Sequence, residues 1–167
     1  APPDDFAVTG QNWGFPTYNW QHMREDGFAW WKQRFEQMSY YFDAFRIDHI
    51  LGFFRIWSIP MNAVEGIMGH FVPAIPVHIS EFNSNGIWFD HSRYTEPFIT
   101  ENVLWEVFGY DNELVKSLFL KHEGHGNYTV KPEFRTQRLV EQHFTTLEQD
   151  AQHDKIKQGL YNLISNL

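Results

Sequence analysis

The stretch YYFDAFRIDHILGFF, residues 40–54, constrains this chain more than any other. It is dense in aromatic and branched side chains, and its residues 42–48 read as a buried strand ending in the charged group Arg46, Asp48 and His49. A strand apolar on both faces belongs to a parallel sheet covered by helices, so the fold expected is α/β. In such folds the carboxyl ends of the strands are where chemistry sits. With 167 residues there is room for one domain with a core. Aromatic residues make up 18%, with sixteen Phe, seven Tyr and seven Trp, which requires a heavily aromatic core or rings left exposed to stack on a ligand.

Around this stretch the chain divides at residue 97. Residues 1–20, APPDDFAVTGQNWGFPTYNW, combine Pro, Gly and Trp without periodicity and read as a long loop of the kind that usually serves function. Asp26 is placed to cap a helix over 26–40, whose Phe28, Trp31, Phe35 and Met38 share one stripe. Residues 61–76 read as irregular, with a short helix over 62–68. Beyond Pro97 the pattern becomes helical: Thr100 caps a helix to Phe108, Asp111 caps one to Lys121, Pro132 opens a third, and 152–167 form a fourth. The HEGHGNYT stretch between the second and third reads as a loop. Residues 1–97 therefore form the part that carries the polar cluster, and 98–167 a helical part.

Charge narrows the function. With 21 acidic and 13 basic residues the net charge is −8, which argues against a nucleic-acid partner. No apolar run is long enough to span a membrane, and the first residues lack the pattern of a signal peptide. The absence of cysteine excludes disulfides and thiolate chemistry, so a cytoplasmic location is expected.

Retaining glycoside chemistry needs one carboxylate as nucleophile and a second carboxyl as acid and base, about 5 Å apart. Asp48 is the candidate nucleophile, with Arg46 as its counter-charge and His49 as a donor to a sugar hydroxyl. Taken alone, R-x-D-H is also what an ordinary salt-bridged strand end looks like.

Two segments together carry a resemblance. FDAFRIDHILGFFRIWSIP resembles the nucleophile segment of the 4-α-glucanotransferases, the amylomaltase and disproportionating-enzyme family, and APPDDFAVTGQNWGFPTYNW resembles that family's substrate loop. They stand in the family's order, and GIWFDHSRYTEPFI is similar to the plant cytosolic type, which has a helical insertion after the nucleophile. Ile50 and Leu51, where many bacterial amylomaltases carry a basic residue, also favour the plant-like subgroup. The resemblance places the nucleophile at Asp48, donor-subsite residues at Arg46 and His49, sugar contacts at Gln11 and Trp13, and Asp4 at the same rim. It implies a (β/α)8 barrel, of which residues 1–97 are a partial segment and 98–167 a helical insertion. It implies no cofactor, and transfer of α-1,4-glucan segments between maltodextrins through a covalent glucosyl-enzyme. Such a barrel needs roughly 250 residues. The family's general acid is a Glu in an E-D-L-G-like segment, which does not occur in this sequence; that acid and the family's third carboxylate, an Asp after a His, are expected downstream of Leu167. The piece by itself is therefore expected to be inactive, and barrel surface left open is expected to drive oligomerisation or a rearranged fold.

Two other readings share these residues. In a non-catalytic carbohydrate-binding module, Gln11, Trp13 and Trp20 would bind sugar and Asp48 would be structural; in a retaining α-glucan hydrolase, water would replace the acceptor sugar. His122 and His125 around Glu123 lack the H-E-x-x-H spacing and read as solvated loop residues, so no metal is expected. His70 and His78 read as ordinary polar residues, and Glu96 as a surface position rather than a surrogate acid.

Overall fold

A computed structural model describes residues 1–148 and 150–166. The chain forms two compact units, one of Ala1–Asn12, Ile59–His70 and Ile75–Leu167, the other of Trp13–Ser58 and Phe71–Ala74.

The smaller unit is short helices and loops around stacked rings. Asn19 accepts from the His22 N–H and starts helix α1 (Trp20–Glu25), and α2 (Ala29–Ser39) follows. Asp26 accepts from the Ala29 N–H at 3.1 Å, as its spacing predicts, but the helix starts later than expected because Phe28 takes a left-handed φ of 59°. Trp31 stacks on Trp20 and on Phe35, and Phe35 on Phe45. The Trp31 stripe is thus ring-on-ring packing, yet no described residue of this unit is fully buried.

The strand expected over 42–48 does not form. These residues are irregular and exposed, and lead through His49 into a 3-10 turn, Ile50–Phe53. The physical reason is pairing. A strand hydrophobic on both faces is stable only when neighbours take up its backbone N–H and C=O groups and cover its faces, and no described segment pairs with 42–48. Strand β1 (Ile56–Ser58) comes later and pairs with β2 (His70–Val72).

The larger unit has a core. After α3 (Ile79–Ser84) and α4 (His91–Thr95) come β3 (Ile99–Thr100), α5 (Glu101–Phe108), α6 (Asn112–Phe119), β4 (Leu120–Gly124), β5 (Asn127–Val130), α7 (Gln137–Thr145) and α8 (Ala151–Ser165). Thr100, Thr136 and Asp150 cap α5, α7 and α8 through their side-chain oxygens. The α5 cap is the one expected; α7 begins after a separate 3-10 turn at Pro132–Phe134. The last residue of the fourth expected helix, Leu167, lies outside the described residues. Leu104, Phe108, Val115, Phe119, Val140, Leu160 and Leu163 are buried between these helices, each worth about 1.5–3 kcal/mol relative to exposure. Gly159 lets α8 approach α5: a Cβ there would sit 2.2 Å from Phe108 Cε1.

The HEGHGNYT segment is not a loop but most of a hairpin. β4 and β5 pair antiparallel, β3 adds on the other side of β5, and a register shift lies between His122 and Gly124. Gly124, His125 and Gly126 all take positive φ, which two glycines make accessible, and the alternating N-Y-T-V of β5 half-buries Tyr128 and Val130. For the same reason α6 stops at Phe119 rather than running to Lys121. The result is a mixed helix-and-strand chain, with no closed barrel among the described residues.

Candidate active site

Four of the six sequence-predicted site residues lie in the smaller unit and two in the larger. Arg46 and Asp48 stand two apart on this irregular segment, and their side chains meet. An Arg46 Nη2 N–H donates to Asp48 Oδ1 at 2.5 Å, with the two side chains 87% and 79% exposed. So exposed an ion pair adds little stability, so the contact orients the carboxylate rather than holding the fold. Arg46 is the sole polar partner of that carboxylate among the described residues.

His49 follows in a left-handed conformation, φ 50°, with its ring against Gly52. Gly52 leaves space for it, since a Cβ at that position would stand 2.8 Å from His49 Cδ2. Trp13 is 67% exposed beside Phe15, ring centroids 6.1 Å apart and nearly perpendicular. An indole face so exposed is what stacking on a sugar ring requires.

In the larger unit Asp4 Oδ1 accepts from the Phe6 and Ala7 N–H groups at 2.9 and 2.7 Å, closing a turn. Gln11 is fixed through its main chain, its N–H donating to the Ala1 carbonyl at 3.0 Å. The chain has one His-Asp pair, His153 and Asp154, in the first turn of α8. There His153 Nδ1 meets the Glu148 carbonyl and Asp154 accepts from Lys157, so both serve the helix end.

His122 and Glu123 have local partners: His122 packs on Tyr128, and Glu123 accepts from Lys121 and Thr129, which lowers its carboxyl below the usual range. Among the described residues no three His, Asp or Glu side chains converge as metal ligands. His78 caps α3 through Nδ1. One polar cluster has no sequence signal: Glu101 accepts from Tyr128 and Lys116, which hold its carboxyl below the ordinary value, and Glu113 with Glu101 raises the Lys116 amine. It ties α5, α6 and β5 together.

A sequence profile of the family described as 4-alpha-glucanotransferase matches residues 1–161. The chain belongs to that family. It is 40% identical over 171 aligned positions to a protein of rice named 4-alpha-glucanotransferase DPE2, covering all of this chain and 18% of the rice protein. It is also 46% identical over 69 residues to the chloroplastic/amyloplastic 4-alpha-glucanotransferase of potato, covering 41% of this chain and 12% of that protein. A 4-alpha-glucanotransferase of a Synechocystis strain matches at 44% over 74 residues, 44% of this chain and 15% of that protein. The chain thus spans less than a fifth of the length of these relatives. No solved structure matches the chain. No helix among the described residues is long and apolar enough to cross a membrane.

Proposed function

We propose that this chain is the nucleophile-bearing part of a 4-α-glucanotransferase that moves α-1,4-glucan segments between maltodextrins. The observation that carries the reading is the Arg46 to Asp48 contact at 2.5 Å within a chain of this family. An Asp48 oxygen bonds to the anomeric carbon of the donor sugar as the glycosidic C–O bond breaks, and the leaving oxygen takes a proton from a general acid. The 4-hydroxyl of an acceptor sugar then attacks the same carbon, gives its proton to the conjugate base of that acid, and frees Asp48. Two displacements retain the configuration.

In this reading Arg46 and His49 line the donor subsite, Trp13 stacks on a glucose ring, and Gln11 and Asp4 contact sugar at the rim. Residues 1–97 are a segment of a (β/α)8 barrel followed by a helical insertion, the acid comes from outside these 167 residues, and the whole enzyme works on starch-derived glucans in the cytoplasm without a cofactor. Barrel surface left open in the isolated chain favours self-association, to be read by light scattering.

Maltotriose disproportionation by the full-length protein, its Asp48→Asn variant and the 167-residue chain tests the reading. The full-length protein is expected to make longer and shorter maltodextrins, the variant to lose about a thousandfold or more in rate, and the chain alone to be inert. Turnover that survives in the Asn variant refutes Asp48 as nucleophile. Release of glucose with no longer product means a hydrolase, and sugar binding without turnover by the full-length protein means a binding module.

A further inference from the structure

The loop that carries Asp4 and Gln11 has no helix or strand of its own, yet its backbone is pinned against residues 64–67 of the same unit. The Ile67 N–H donates to the Thr9 carbonyl at 2.7 Å, and Asn12 Nδ2 donates to the Val64 carbonyl at 3.0 Å. Where the two segments cross, glycine faces glycine. A Cβ on Gly66 would lie 2.5 Å from the Gln11 nitrogen and 2.7 Å from the Gly10 carbonyl carbon, backbone atoms that cannot rotate aside. Gln11 stands where it does because Gly66 has no side chain.

Residues 64 and 65 are held in turn from the helical part. Gln137, at the start of α7, is 1% exposed. Its Oε1 accepts from both the Val64 and Glu65 N–H groups at 2.9 Å, and its Nε2 donates to Glu65 Oε2 at 2.9 Å and to the Tyr161 carbonyl at 3.4 Å. The second Glu65 oxygen accepts from Gln158 Nε2 at 2.7 Å. If Gln137 only filled space, an apolar residue of its size would do so without the cost of burying an amide. Four partners on one buried amide instead fix the path of a backbone 72 residues away.

We propose that Gln137 and Gly66 are positioning residues for the sugar-contact loop, so that the helices after residue 98 set the placement of Gln11. This inference rests on the reading of Gln11 as a sugar contact. Neither residue touches substrate; Gln137 acts through Val64 and Glu65, and Gly66 through the Gln11 backbone.

The test is maltotriose disproportionation by the full-length protein carrying Gly66→Ala, Gln137→Leu, the exchange Glu65→Gln with Gln137→Glu, or Gln11→Ala, each with a thermal melt. Gly66→Ala is expected to raise KM about tenfold with kcat changed less than about threefold, since a displaced ground-state contact shows in KM. Gln137→Leu moves KM the same way. The exchange keeps a carboxylate oxygen facing the two N–H groups and an amide facing that carboxylate but gives up the donation to the Tyr161 carbonyl, so it returns KM part of the way to wild type. A folded Gly66→Ala protein with KM within about twofold of wild type overturns the proposal, as does a Gln137→Leu protein that melts earlier with KM unchanged. If Gln137→Leu fails to fold, Gly66→Ala decides alone. Gln11→Ala with an unchanged KM overturns the sugar-contact reading instead, whereas Gln11→Ala active in KM beside a silent Gly66→Ala overturns only the positioning.

Discussion

Both units of this chain are rich in aromatic rings, but only one buries them. In the larger, Phe108, Phe119 and Phe144 sit inside a core of four helices and a three-stranded sheet. In the smaller, Trp20, Trp31, Phe35 and Phe45 stack on one another with none fully buried, and Phe42, Phe45 and Ile47 beside Asp48 are exposed. The difference separates stability from chemistry. The unit that carries the proposed nucleophile contributes little of the burial that holds the chain folded.

The sharpest way to break this comparison is to remove burial from each side in turn. Leu160→Ala, at a fully buried position of α8, should destabilise the 167-residue chain by about 2–5 kcal/mol in urea denaturation. Phe45→Ala in the smaller unit should stay below about 1 kcal/mol, the range of an exposed substitution; equal losses would mean that the smaller unit shares the cooperative core. Next in size is Gly159→Ala. Its methyl would overlap the Phe108 ring at 2.2 Å, and overpacking of that kind costs about 1–3 kcal/mol; a neutral result would show α5 and α8 free to separate. Thr100→Ala, which removes the oxygen that caps α5, should cost about 1 kcal/mol by the same measurement.

The smallest effect is electrostatic. Tyr128 first and Lys116 second hold the Glu101 carboxyl below its ordinary 4.5, so the folded pKa lies under the unfolded one. The stabilisation is therefore present above pH 4.5 and lost as pH falls through the lower folded value. Glu101→Gln should flatten the acid side of the stability profile of the larger unit.

How far these features were legible in sequence follows from how local their causes are. The cap at Thr100, the Asp26 bond to the Ala29 N–H and most of α8 depend on neighbours in sequence and were readable. The 42–48 segment reads as a strand because its composition suits burial, but pairing partners decide whether a strand forms. The hairpin of β4 and β5 hid behind Gly124 and Gly126, glycines that signal a turn without saying that strands flank it. The roles that the resemblance gives Asp48, Arg46 and His49 rest on the R-I-D-H stretch itself. Nothing in the pattern links Gln137 to Glu65, because Glu65 lies 72 residues from that amide and carries no periodic mark.

The most direct test of Asp48 as nucleophile is to trap its ester. Full-length protein is incubated with α-glucosyl fluoride without acceptor, quenched in acid, digested and mapped by mass spectrometry. A hexose adduct on the peptide containing Asp48, absent in Asp48→Asn, is the predicted result; an adduct on another carboxylate would contradict it.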